Sequence, residues 1–279
     1  MSKEPHEIDL SGEAVHWDQK MSYTDYLGLD TLLACQRPRS EQHDETLFIV
    51  IHQASELWIK LCLHEIAGAI RQIRKDELGP AFKMMARVAR VQANLIQSWE
   101  ILSTMTPFDY ASFRASLGQS SGFQSFQYRI LEFRLGNKNR KMARTFESRP
   151  EIAAQVNEAL YAPSIYDESL ALLARRGFPV PADVLERDFS EAWVTDPRVT
   201  EAWRQVYKDV GTHWELYELA EKLVDLEYRF HLWRFSHMKT VERIIGAKPG
   251  TGGTSGVAYL GKALSLRFYP ELWDVRTEI

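Results

Sequence analysis

Between Ser40 and Leu78 the chain has no proline and a single glycine, Gly68. Phe48, Ile51, Ser55, Trp58, Cys62 and Ile66 recur there three or four residues apart, the spacing of one face of a long amphipathic helix. After Gly79-Pro80, residues 81–105 carry Phe82, Met85, Val88, Val91, Leu95, Trp99 and Leu102 on one stripe. Pro107 closes that run, and Asp109 is placed to cap a short helix holding Tyr110, Phe113 and Leu117. A helical pattern resumes over 123–135 after the GQSSG bend, and 151–176 reads as two short helices parted by Pro163. The turn-rich GFPVPADVLERDF follows. From Pro197 to Lys248 there is no further proline and Gly211 interrupts the pattern, which predicts helices over 199–210 and 212–245. The second would be about 50 Å long at about 1.5 Å per residue.

The first 20 residues are polar and are expected to be a flexible segment. MSYTDYLGLDTLLACQ then places Tyr23, Tyr26, Leu27, Leu32 and Leu33 at near-helical spacing, as a short helix or arm over 21–36. No alternating β-branched run exceeds four residues. The expectation is an all-α protein, one domain over 21–279, without internal repeats. Its long helices should pack antiparallel as in a bundle.

Composition narrows the function classes. A chain of 279 residues can bury about three quarters of its extended surface, enough to enclose a flat cofactor. The formal charge of −4 does not suit a nucleic-acid groove. Two cysteines, Cys35 and Cys62, cannot build a disulfide framework or a thiolate cluster. No signal-peptide h-region opens the chain and no run reaches 18 uncharged apolar residues, so a cytoplasmic protein without membrane contact is expected. The 8 Trp, 11 Tyr and 13 Phe supply aromatic surface that suits a flat cofactor, and equally fills cores.

Four stretches offer chemistry. On the last long helix His237 sits beside the apolar stripe between Trp233 and Val241, where it is either a satisfied core histidine or a metal ligand. In HDETLFIVIHQASELW, residues 43–58, Phe48 and His52 share a helix face. Neither the His-Glu-x-x-His of a zincin nor the repeated Glu-x-x-His of a di-iron bundle occurs. His52 and His64 lie about 120° apart around the helix, so they do not share one ion. One imidazole on each of two facing helices instead suits a haem iron with one axial ligand and one distal group. In DYASFRASLGQSSGFQSFQYR, residues 109–129, Tyr110 and Arg114 share a face. A guanidinium fork there suits either a carboxylate ligand or a surface acid. The bend at Ser120, Ser121 and Gly122 lets backbone approach a ligand closely. KPGTGGTSGVAYLGKA, residues 248–263, fails both the dinucleotide and the Walker patterns, and its glycines and hydroxyls suit a lid over a small polar ligand.

Taken together, these stretches resemble the tryptophan 2,3-dioxygenase family. The likeness rests on HDETLFIVIHQASELWIKL (43–61), FDYASFRASLGQSSGFQSFQYRILEFRLGNK (108–138), Trp233 to His237, GTGGTSGVAYL (250–260) and MSYTDYLGLDTLL near the N-terminus. It covers nearly the whole chain from about residue 20.

The resemblance implies an all-helical, cytoplasmic homotetramer with one haem b per subunit, ferrous when active. It implies the reaction of L-tryptophan with dioxygen to give N-formyl-L-kynurenine, the first step of the kynurenine pathway. It further implies that His237 is the proximal iron ligand and His52 the distal, catalytic histidine near the indole N–H. Phe48, Ile51 and His52 would form one wall of the substrate pocket. Tyr110 and Arg114 would hold the carboxylate, and Thr251 would close over the amino-acid end. Trp99 would touch the haem edge, while Tyr23, Tyr26 and Leu27 would reach into a neighbouring subunit's pocket.

Overall fold

A computed structural model describes residues 11–13 and 21–279. Residues 1–10 and 14–20, most of the segment expected to be flexible, lie outside the described residues. The chain falls into two compact units, divided between Arg37 and Pro38.

In the N-terminal unit the 21–36 segment forms two short helices, α1 (Tyr23–Leu27) and α2 (Leu29–Leu33), which meet at Gly28. A capping box starts α1: the Asp25 amide donates to Ser22 Oγ at 3.1 Å, and the Ser22 amide donates back to Asp25 at 3.0 Å. Within this chain Tyr23 and Tyr26 are 75% and 77% exposed, and Leu27 is 43% exposed.

The larger unit is helical among its described residues. Its first pair is α3 (His43–Arg74) and α4 (Leu78–Leu102). Next come α5 (Pro107–Phe113), α6 (Phe126–Leu135), α7 (Arg140–Ala143) and α8 (Pro150–Tyr161). They are followed by α9 (Ile165–Arg175), α10 (Ala182–Leu185) and α11 (Pro197–Lys208). The chain finishes with α12 (Trp214–Ile245), α13 (Val257–Leu264) and α14 (Pro270–Asp274).

The three long helices organise this unit, with α4 packed against both α3 and α12. Three residues join α3 to α4, so the two form an antiparallel hairpin. Ile66, Ala69 and Ile73 of α3 meet Met85, Val88 and Leu95 of α4 and Leu219, Leu223 and Phe230 of α12 in one core. Gly68 is a point of close approach: a Cβ there would lie 2.7 Å from the Met84 sulfur. By length and composition α3 could cross a bilayer, with a window of mean hydropathy 1.3. Here its buried stripe packs on α4, α6 and α9, and its buried Glu65 pairs with Arg87 at 2.6 Å.

Two local expectations shift. Asp109 is the third residue of α5, not its cap: Thr106 caps it, and Asp109 reaches back to the Thr106 amide at 2.8 Å. Pro107 therefore starts α5. Gly79-Pro80 lies inside the first turn of α4, where a missing N–H costs no hydrogen bond.

Two buried carboxylates fix the C-terminal segment. Glu227 of α12 accepts from the Phe268 amide at 2.6 Å, the Tyr269 amide at 3.1 Å and Trp273 Nε1 at 2.9 Å. Glu271 accepts from the Tyr166 hydroxyl at 2.8 Å, Trp193 Nε1 at 2.9 Å and the Asp196 amide at 2.8 Å. Each removal would strand several donors in the interior.

Candidate functional site

A second apolar cluster lies apart from the main core. Ile51, Trp99, Leu102, Met105, Phe113 and Ile244 form it, with Phe48, Tyr110, Leu117 and Trp233 packed around them. It draws residues from α3, α4, α5 and α12, and it contains or adjoins most of the side chains singled out in the sequence.

On α3 the ring centroid of Phe48 is 4.2 Å from that of His52, as expected for residues four apart. Tyr110 and Phe113 of α5 approach Phe48 at 6.0 and 5.7 Å. His52 Nδ1 lies 2.7 Å from the Phe48 carbonyl oxygen. A carbonyl only accepts, so Nδ1 carries the proton and the neutral ring keeps Nε2 as a free acceptor. Burial lowers the His52 pKa, against the Phe48 hydrogen bond and the Glu56 charge, and so favours that neutral ring.

His237 faces the cluster from α12. Trp99 lies flat on its ring, with centroids 4.4 Å apart and planes 15° apart, and Trp233 lies 6.0 Å away. Trp99 also meets His52 edge-on at 6.4 Å, so it stands in contact with both imidazoles. Burial, helped by the neighbouring His52, pulls the His237 pKa down to about 4. Stacking covers the face of an imidazole but leaves its in-plane nitrogen lone pair free, so His237 is neutral and chemically able to bind a metal ion. The buried indole nitrogens of Trp99 and Trp233 have no hydrogen-bond partner among the described residues.

The polar end of the cluster is built from two distant pieces of chain. Arg114 opens a 3-10 turn (Arg114–Leu117) directly after α5 and lies beside the Tyr110 hydroxyl. Burial raises the Tyr110 pKa, and the nearby guanidinium partly offsets that rise. Arg114 donates to the Pro249 carbonyl at 2.6 Å, while the Thr251 hydroxyl donates to the Ser120 carbonyl. The glycine-rich loop thus rests on the Ser120–Gly122 bend.

Beside this cluster, buried Glu132 of α6 accepts from both Arg129 and Arg234. Arg234 also donates to the Tyr128 hydroxyl at 3.1 Å, and the Tyr128 ring lies 5.3 Å from Trp233. This network holds α12, and with it His237, against α6.

The structure therefore brings together Phe48, Ile51, His52, Trp99, Tyr110, Arg114, Thr251 and His237 through shared neighbours. Tyr23, Tyr26 and Leu27 belong to the other unit. Two participants escaped the sequence reading as site residues. Trp233 precedes His237 by four positions, a spacing that signals a shared face; Phe113 was visible only as a helix-face residue. Among the described residues no three His, Cys, Asp or Glu side chains converge as a metal-binding group.

Fold and site together define a protein, helical among its described residues, whose aromatic cluster presents two neutral imidazoles, with a guanidinium and a glycine-rich loop at its polar end. Comparison with known proteins agrees with that class and narrows it. The profile of the tryptophan 2,3-dioxygenase family matches residues 10–279. A tryptophan 2,3-dioxygenase of Erythrobacter litoralis is 58% identical over 261 residues, covering 94% of this chain and 99% of the relative. Those of Bacillus thuringiensis (strain Al Hakam) and Polaromonas sp. are 54% and 51% identical, covering 96% and 100% of this chain and 96% and 97% of the relatives. The chain belongs to the tryptophan 2,3-dioxygenase family and is an enzyme of that type.

Proposed function

We propose that the chain converts L-tryptophan and dioxygen into N-formyl-L-kynurenine, the first step of tryptophan breakdown by the kynurenine pathway. The indole C2–C3 bond breaks and each of its carbons gains one oxygen atom, so no external electrons are consumed. Haem b, one per subunit and ferrous when active, supplies the route by which triplet dioxygen reacts with a closed-shell indole. The side chains suit such a group. His237 offers a neutral imidazole, and the unpartnered indole N–H groups of Trp99 and Trp233 suit acceptors at a cofactor edge.

His237, held in orientation by Trp99, would hold the haem iron in this reading. His52 would serve the substrate: its Nδ1–H is spent on the Phe48 carbonyl, so Nε2 is left to accept the indole N–H and orient the ring. Phe48 and Ile51 supply apolar surface for the indole. Arg114, with Tyr110 beside it, takes the substrate carboxylate in its fork, and Thr251 lies over the amino-acid end. The resemblance further supports a cytoplasmic homotetramer in which Tyr23, Tyr26 and Leu27 enter a neighbouring subunit's pocket. Their exposure in the single chain fits that role.

The observation that carries this reading is the meeting of His52, Trp99 and His237 in one aromatic cluster whose polar end is Arg114. The test is an anaerobic titration of the ferrous protein with L-tryptophan and with tryptamine, followed at the Soret band, in wild type and Arg114→Ala. A saturable shift with L-tryptophan is expected. Arg114→Ala should weaken it at least about tenfold and abolish its preference over tryptamine. A purified protein without a haem spectrum, or one unmoved by L-tryptophan, would overturn the reading. A loss below about tenfold would move the carboxylate anchor to another cation.

A further inference from the structure

The loop between α12 and α13 is a folded clasp. The Gly250 amide donates to the Thr254 carbonyl at 3.0 Å, and the Gly253 amide donates to the Gly250 carbonyl at 3.1 Å. Three of its glycines occupy crowded positions, but the crowding has different sources. A Cβ at Gly250 would meet the Thr254 hydroxyl at 2.8 Å, and one at Gly256 would meet the Lys248 carbonyl at 2.6 Å. Both clashes lie inside the loop. A Cβ at Gly252 would lie 2.6 Å from Ser121 Cβ and 2.9 Å from Ser121 Oγ, across the junction with the bend. Side-chain carbons do not approach so closely, and Ser121 Cβ is fixed to the backbone, so it cannot rotate away.

We infer that Gly252 is the positioning residue on which the loop seats, and that its missing side chain sets how far the loop closes over the polar end of the site. The inference rests on the tryptophan-binding reading above. Gly252 has no side chain with which to hold a substrate. It acts by letting the segment containing Pro249 and Thr251 come down on Ser120 and Ser121, where the Arg114–Pro249 and Thr251–Ser120 hydrogen bonds form. Gly250 and Gly256 shape the clasp, whereas Gly252 governs its docking. Any side chain at 252 would hold the clasp off the bend and leave the ammonium end of the substrate open to water.

The test is a double-mutant cycle between Gly252→Ala and Ser121→Gly, because removing the Ser121 side chain makes room for the new methyl. Gly252→Ala should raise KM for L-tryptophan about tenfold, with kcat changed less than about twofold and haem content unchanged. In the Ser121→Gly background the same replacement should change KM less than about twofold, whatever Ser121→Gly itself costs. Amide hydrogen exchange over 249–256, measured without tryptophan, should accelerate in Gly252→Ala and return toward the Ser121→Gly rate in the double variant. The exchange arm separates two failures. If wild type ignores tryptophan, the proposed function falls while the seat is still read from exchange. Unchanged KM and exchange in Gly252→Ala, an equal penalty in both backgrounds, or a loss confined to kcat would each overturn the inference.

Discussion

His52 and His237 are the same residue type in one aromatic cluster, and their surroundings differ. Burial keeps both rings neutral, but His52 has committed its Nδ1–H to the Phe48 carbonyl, while His237 has no hydrogen bond to any described residue. Either neutral ring keeps one lone pair for a metal ion or a donor, and the proposed function gives the iron to His237, which Trp99 stacks, and the indole N–H to His52. His237→Ala is therefore expected to lose most of its haem, read as a haem-to-protein ratio by the pyridine haemochrome assay. His52→Ala should keep its haem and lose activity about tenfold or more without abolishing it. Circular dichroism checks that both variants retain helicity. Haem loss in His52→Ala comparable to that in His237→Ala would mean that the two sides of the site are exchanged.

At the scale of elements, helix ends are tied by specific side chains, and one tie makes stability depend on pH. Lys138 is buried and donates to the Ala159 carbonyl at 2.7 Å and the Ala162 carbonyl at 2.6 Å, closing the C-terminus of α8. Burial pulls its pKa down to about 7 from the ordinary 10.5. Between those values the unfolded chain binds a proton that the folded chain lacks, so this group makes stability rise with pH from about 7 to about 10.5. Denaturant melts of wild type and Lys138→Met should diverge across that window. Wild type should gain up to about 2 kcal/mol relative to the variant between about pH 7 and 9. Parallel profiles would refute the assignment.

The long helices themselves were legible, because the 3.6-residue period in α3, α4 and α12 is enforced by the core they share. Their starts were less so. Thr106 and Asp109 divide the capping between them, and Pro80 sits within the first turn of α4 where a breaker was expected. The pairing of Arg114 with Pro249, 135 residues apart, has no local period to betray it. Phe48–His52 could be read from spacing. Bringing His237 to the same cluster required the family resemblance or the fold.

At the scale of the whole molecule the exposed apolar surface is the unresolved cost of the single chain. Val50, Leu57 and Trp58 of α3 and Leu232 and Phe235 of α12 are exposed in the larger unit, as are Tyr23, Tyr26 and Leu33 in the smaller one. Isolated exposed apolar residues are ordinary, but seven large ones in all on these two helices and five on a segment of eleven residues favour burial between copies. The proposed homotetramer covers such surface, and the proposed reach of Tyr23, Tyr26 and Leu27 into a neighbour would make each pocket complete only in the assembly. Removing residues 1–30 takes away α1 and the start of α2 while leaving every helix of the 38–279 unit intact, so helicity of that unit should persist. Light scattering should then give a mass below that of the tetramer, and L-tryptophan should bind less tightly by about tenfold. The two losses should travel together, since in the proposed assembly Tyr23, Tyr26 and Leu27 would serve both subunit contact and pocket. A truncated protein that is monomeric yet binds tryptophan at wild-type affinity would break that link, and would confine the pocket to the residues of one chain.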